Sequence, residues 1–153
     1  MIYRITMSFF GNNFNPNNII SELNGNFLVI DKIIKGDKKK YIKGNYEFGN
    51  IDIWHINKFA TEEQIKEYES FFVEFITNNY KILKQNHVQD IHLFYDIYYD
   101  GDQCNFEILS KKQLRKLFKI NLSLPISVHK LNQKELRRRS KEINETWCNA
   151  ENA

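Results

Sequence analysis

The sequence predicts an α+β fold, a single domain in which a mainly antiparallel sheet packs against one long central helix. Apolar side chains recur every three or four residues over 61–85, as on a helix with one buried face. Short apolar stretches typical of strands occur on both sides of this segment. They stand singly and in pairs between helical segments instead of alternating strictly with them, which favours α+β over α/β.

The first half of the chain supplies three strands and a short helix. Gly11 ends the first alternating stretch, and Asn15 followed by Pro16 has the residue types of a helix start. In chain order we expect a strand over 2–9, a short helix near 16–24, and strands over 27–34 and 46–56.

The long helix begins with a predicted capping box, in which Thr61 and Gln64 satisfy each other's backbone amides. Its opposite face is charged, so we expect it to lie on the sheet with its apolar face inward. The apolar face contains Ile65, Tyr68, Phe72, Phe75, Ile76, Ile82 and Leu83.

The second half begins with a strand over 91–99 that is apolar on both faces and is therefore expected at the centre of the sheet. Asp100-Gly101 predicts a hairpin turn, with a returning strand over 104–109. We then expect a helix near 110–119 that begins with a capping box at Ser110 and in which Leu114 packs on Leu109 as a hydrophobic staple. A strand over 122–130 follows, in which Pro125 indicates an edge or a bulge, and then a helix near 132–148 that begins with a capping box at Asn132. Residues 1–130 form the predicted domain, and 131–153 form a helical extension docked on it.

The charge of the chain is uneven. Residues 1–109 hold 11 basic and 15 acidic side chains, whereas residues 110–141 hold 11 basic and one acidic. The hydrophobic fraction of 42% argues against disorder. Two cysteines do not form a disulfide framework, and neither a signal peptide nor a membrane span is recognisable. We expect a cytoplasmic protein with reduced thiols.

No motif of a known catalytic, metal or cofactor site occurs in the sequence. The four histidines and two cysteines lack the spacings of zinc sites, and no nucleophile motif is present. The sequence therefore predicts no catalytic residue, metal or cofactor, and it favours a binding protein over an enzyme.

One set of short motifs resembles a known family. It includes Gly11 after an aromatic pair, the turn Lys35-Gly36-Asp37, and Trp54, followed by the Leu109-Ser110 helix start and the strand over 126–130. In these motifs the chain resembles the DUF4279 domain family over most of residues 2–130. The resemblance implies a small bacterial cytoplasmic protein with an α+β fold, and it implies no established chemistry.

Three functions stay open. The first is a non-enzymatic protein-binding module, in particular an immunity-type protein that neutralises a toxin, with Asp96, Tyr98, Asp100 and Asp102 as its protein-binding residues. The second is a nucleic-acid-associated protein that uses the basic C-terminal third, with Arg137, Arg138 and Arg139. The third is a small-ligand-binding or enzymatic domain centred on Lys35–Asp37 and Trp54, where Asp37 holds the turn and Trp54 packs beneath it.

Overall fold

A computed structural model describes residues 1–56, 64–102 and 107–152. It confirms a single α+β domain with a six-stranded, mostly antiparallel sheet. The elements are β1 (Ile2–Gly11), α1 (Pro16–Ile19), β2 (Phe27–Ile33), β3 (Gly49–His55), α2 (Ile65–Gln85), β4 (Asp90–Tyr99), α3 (Lys111–Leu117), β5 (Leu122–Ser123), β6 (Ile126–Lys130) and α4 (Gln133–Glu151).

The first four strands form a βαββαβ unit in the order β2-β3-β1-β4, each antiparallel to its neighbour. This is the split βαβ arrangement of ferredoxin-like domains. The last two strands, β5 and β6, both pair with β4 in parallel. They keep one register, because Ile91 pairs with Leu122 and Tyr95 with Ile126. The central position of β4 is as predicted. The single strand predicted over 122–130 is instead divided at Pro125 into β5 and β6, which together form the edge beside β4.

One face of the sheet holds the main core, which α2 covers. Met7 of β1, Ile53 of β3 and Leu93 of β4 are fully buried there against α2. Phe72 and Ile76 are the matching buried side chains of the helix. The apolar stripe predicted for the long helix is therefore its buried face, and the sheet is what stabilises it.

The opposite face of the sheet, here called the second face, is covered at one end by α4. Ile143 of α4 packs with Ile2, Trp54 and Tyr98 in a separate small cluster. Ile143 is the fully buried residue of this mostly polar helix, and Leu136 and Trp147 pack against the same cluster while partly buried. The expected docking of the C-terminal helix thus depends on a narrow apolar contact.

Two predicted elements differ from the structure. Helix α1 ends at Ile19, before the predicted end near residue 24, and the chain continues in turns as far as Leu23. The side chain of Asn79 then bonds both the amide and the carbonyl of Asn24, just before β2. The returning strand predicted over 104–109 is wrong for residues 107–109, which lie outside every strand, and the rest of it lies outside the described residues.

The predicted bounds of three helices also shift. The long helix begins at Ile65, and its predicted capping box includes Thr61, which lies outside the described residues. The other two helices have the predicted capping boxes, at Ser110 and Asn132, and α4 continues to Glu151. Among the described residues, no helix is both long and apolar enough to cross a membrane.

Candidate functional site

The four residues predicted to bind a protein fall into two environments. Asp96 lies on the second face of the sheet, where its Oδ2 accepts hydrogen bonds from Nε and Nη2 of Arg4 at 3.0 and 2.7 Å. His129 Nε2 lies 3.7 Å from the other carboxylate oxygen. The negative charge of Asp96 is therefore already compensated within the domain by Arg4.

Tyr98 is only 2% exposed and is held between two other side chains. The ring of His129 stacks on it at 4.9 Å, and the guanidinium of Arg139 lies 5.4 Å from its centroid. Burial raises the pKa of the Tyr98 hydroxyl. Tyr98 thus helps dock α4 and presents no surface to a partner.

Asp100 and Asp102 lie beyond the end of β4 and are both exposed. Asp102 pairs with Lys130 at 2.9 Å on the surface. Exposed pairs of this kind contribute little to stability, so the pair with Lys130 does not keep a partner from Asp102. Asp100 is exposed as well. Of the four predicted residues, these two are the ones that a partner can reach.

The turn Lys35-Gly36-Asp37 follows β2 and is built as predicted for Asp37. Its Oδ2 accepts the amide hydrogen of Ile34 at 3.2 Å, and Gly36 has a φ of +97°. The expectation that Trp54 packs beneath this turn is wrong. Trp54 lies towards the other end of β3, under α4, where its Nε1 donates to the hydroxyl of Thr6 at 2.7 Å.

The basic C-terminal third is divided between the two faces of the sheet. Leu117 anchors α3 in the main core, whereas Ile143 anchors α4 on the second face. On α4, Arg138 and Arg139 both pair with Glu142. The five cations on and after α3 form no ion pair with any residue in the described ranges; they are Lys111, Lys112, Arg115, Lys116 and Lys119.

Two large apolar side chains stand among these unpaired cations. Leu114 is 45% exposed and Phe118 is 84% exposed, and they lie one helical turn apart. Monomeric proteins seldom leave such groups together in water without a role. We call Leu114, Phe118 and the five cations the α3 patch.

The α3 patch rests on a rigid support. The Ser110 hydroxyl accepts the amide hydrogen of Gln113, whose side chain accepts the Ser110 amide hydrogen in return. On α2, the buried carboxylate of Glu69 accepts the amide hydrogen of Leu109 at 3.0 Å. Lys66 of α2 also pairs with Glu107 at 3.2 Å. The entry into α3 is thus tied to the long helix, so the patch is pre-organised.

The charges of the α3 patch are unfavourable for an isolated helix. Lys111 and Lys112 stand in the first turn, at the positive end of the helix dipole, and no acidic residue stands there. Lys112 and Lys116 form one of several like-charged pairs at a spacing of four, each of which costs about 0.2–0.5 kcal/mol. A helix that breaks local rules in this way is a candidate functional element.

The sequence contained the signal for this patch. Leu114 and Phe118 have a spacing of four within a segment of five cations and no acid. We predicted that Leu114 packs on Leu109 as a hydrophobic staple, but Leu109 is buried in the core with a φ of +57° while Leu114 faces solvent. The capture of the Leu109 amide by Glu69 explains this difference.

No group of three or more metal-ligating side chains is found within the described ranges. Comparisons with known proteins give no further guidance, because no family model, no curated protein and no solved structure matches the chain. The resemblance to the DUF4279 domain family therefore stays a prediction.

Proposed function

We propose that this protein is a non-enzymatic protein-binding module, and that the α3 patch is the surface on which its partner docks. The observation that supports this proposal is the exposure of Phe118, at 84%, among cations that form no ion pair within the described residues. Aromatic side chains are enriched at protein interfaces, where a polar rim surrounds them.

The charge of the patch specifies the partner. Five cations without counter-charges attract an acidic surface, and such complementarity mainly raises the association rate. Leu114 and Phe118 then supply apolar contact that slows dissociation. The partner is therefore a protein with an acidic surface around an apolar recess that accepts the Phe118 ring.

A toxin of the same bacterium is the particular partner that we propose, which makes the protein an immunity-type module. Inhibition by capture needs a rigid, complementary surface and no chemistry. The anchoring of α3 on α2 through Glu69 and Lys66 supplies such rigidity. Asp100 and Asp102 stay a second candidate contact for a partner, because both are exposed.

The proposal is tested by comparing two variants that each remove one exposed ring. Phe118→Ser removes the anchor, and Tyr41→Ser removes an equally exposed ring outside the patch. Tagged wild-type and variant proteins are used to capture partners from native lysate at low and high salt, followed by quantitative mass spectrometry. We expect one stoichiometric protein with wild type and Tyr41→Ser, and its loss with Phe118→Ser.

The immunity role has its own test. Expression of the captured protein alone should arrest growth, and co-expression of the wild type, but not of Phe118→Ser, should restore it. Equal capture by Phe118→Ser would contradict the docking surface. Recovery of nucleic acid that washes off with salt would instead favour the nucleic-acid hypothesis.

A further inference from the structure

A concave site lies on the second face of the sheet, at the end opposite α4. It has a volume of about 280 Å³, and its lining includes Phe10, Asn12, Phe48, Gln89, Asp90 and His92. None of its lining residues in the described ranges is a lysine or an arginine. This cavity is remote from the α3 patch, which lies on the α2 side of the sheet.

Aromatic rings form the walls of the cavity. Phe10 stands between Phe48, whose ring centroid is 6.1 Å away at an interplanar angle of 60°, and His92, at 4.9 Å and 49°. Rings inclined to one another in this way present several π-surfaces to one space. Such surfaces carry partial negative charge and attract cations.

A carboxylate completes the cavity. Asp90 is paired with Phe10 across the two central strands, so that both side chains lie on the same face. The side-chain amide of Asn121 donates to Asp90 Oδ1 at 3.4 Å and to the backbone carbonyl of Gln89 at 3.2 Å. The carboxylate is therefore oriented, exposed and without a cationic partner among the described residues.

The backbone fixes the walls before any ligand binds. The amide of Gln89 donates to the carbonyl of Phe10 at 2.8 Å, and the side chain of Gln89 accepts the amide hydrogen of Asn12 at 2.8 Å. Gly11 allows this approach, because a Cβ there would lie 2.3 Å from the carbonyl oxygen of His87. The cavity is thus pre-organised, which lowers the entropic cost of binding.

Lys35 lies at the rim of the cavity, where its ammonium donates to the carbonyl of Asn12 at 2.9 Å. That hydrogen bond ties the Lys35–Asp37 turn to the rim of the cavity. The turn that the sequence singled out for a small ligand is therefore next to an aromatic cavity, and not next to Trp54.

We propose that this cavity binds an alkylammonium group, either on a free small molecule or on a methylated lysine side chain. The rings of Phe10 and Phe48 offer cation–π contacts, Asp90 offers the counter-charge, and the volume accommodates a trimethylammonium head. A primary ammonium would bind less well, because it loses more hydration and finds few acceptors.

The test uses choline as the cation and its neutral isostere 3,3-dimethyl-1-butanol, each titrated into labelled protein at constant ionic strength and followed by amide NMR shifts. We expect saturable shifts at Phe10, Phe48 and His92 with choline alone. A parallel titration with N-acetyl-trimethyllysine amide shows which source of the group binds more tightly.

Variants test the assignment to these walls. Phe48→Leu should weaken choline binding about threefold, and Asp90→Asn by a similar factor. Tyr41→Leu, which removes a ring from the same segment outside the cavity, should leave it unchanged. Equal shifts with the neutral isostere, shifts that do not saturate, or equal weakening by Tyr41→Leu would each overturn the proposal.

Discussion

Helices α3 and α4 are both rich in basic residues but differ in acidic ones. α3 carries four basic and no acidic side chains, whereas α4 carries five basic and four acidic side chains. Both are capped by the same box-type arrangement, at Ser110 and Asn132, and both belong to the basic end of the chain. On α4, Glu142 and Glu145 sit three or four residues from its cations and pair with them. On α3 no acidic residue is available, and the charges point to solvent.

The two helices also differ in whether the fold buries their apolar residues. The few apolar residues of α4 dock it on the sheet, through Ile143 against Tyr98 and Trp54. α3 buries Leu117 and leaves Leu114 and Phe118 exposed. A high number of basic residues alone therefore does not locate a binding surface. The surface is where charge and apolar area are both left without partners in the fold.

The largest expected effect is a loss of stability when the buried side chain that docks α4 is removed. Ile143→Ala should lower the free energy of unfolding by about 2–4 kcal/mol, because it removes a buried side chain and leaves a cavity. Phe118→Ala should change it by less than about 0.5 kcal/mol, because its ring is already in water. Urea denaturation of the two variants measures both values, and equal losses would remove the distinction between the helices.

A second prediction concerns pH and the support of α3. Burial raises the pKa of Glu69 above its ordinary value of 4.5, so the folded protein keeps this proton at pH values where the unfolded chain has lost it. The contribution of Glu69 to stability is then greatest at low pH and is lost as pH rises above 4.5. Each unit of the shift corresponds to about 1.4 kcal/mol.

Glu69→Gln keeps an acceptor for the Leu109 amide and cannot ionise. The stability of this variant relative to wild type should therefore increase between pH 4.5 and pH 7. Thermal unfolding of both proteins across this range measures the difference. The difference also cancels the similar trend from Asp52, whose pKa burial raises as well. A constant difference would show that Glu69 does not titrate differently in the folded state.

The third prediction compares the same change of charge at the two ends of α3. Lys111→Glu places negative charge at the positive end of the helix dipole and should stabilise the domain by about 0.3–1 kcal/mol. Lys119→Glu makes the same change of charge beyond the C-terminal end of the helix and should not stabilise it. Amide exchange of α3 compares the two. Stabilisation by both variants would indicate relief of general repulsion and not a dipole effect.

The smallest expected effect compares one arginine from each helix. Arg138→Gln should lower the free energy of unfolding by about 0.3 kcal/mol, since it removes a pair with Glu142. Arg115→Gln should raise it by a similar amount, because it removes repulsion from Lys111 and Lys119. Chemical denaturation of the two variants and wild type in parallel resolves the sign, and a loss in both would contradict the contrast.

Much of the fold follows from local patterns. The apolar residues on both faces of β4 predicted its central place, Pro125 predicted an edge or a bulge, and two capping boxes predicted where α3 and α4 begin. The turn from α1 to β2 was not predictable in this way, because the side chain that holds it at Asn24 is Asn79, which is 55 residues away in sequence.

The site was less accessible to sequence reasoning. Aromatic and acidic residues of β4 looked like a surface, but α4 covers Tyr98, and Arg4 neutralises Asp96 from 92 positions away. The sequence predicted that Leu114 packs on Leu109. In the structure Glu69 accepts the amide hydrogen of Leu109, which is buried in the core, and Leu114 faces solvent. Such long-range partners decide which side chains stay exposed, and one sequence does not show them.

The assignment of the binding surface to α3 is tested by removing two charges from α3 and, separately, two charges from α4. With the captured partner in hand, its affinity and association rate are measured for Lys112→Gln/Lys116→Gln on α3 and for Arg137→Gln/Arg138→Gln on α4, at two salt concentrations. The loss of charge is equal in the two variants. We predict slower, weaker and less salt-dependent association for the α3 variant and wild-type behaviour for the α4 variant. Equal weakening by both, or weakening by the α4 variant alone, would contradict the assignment of the binding surface to α3.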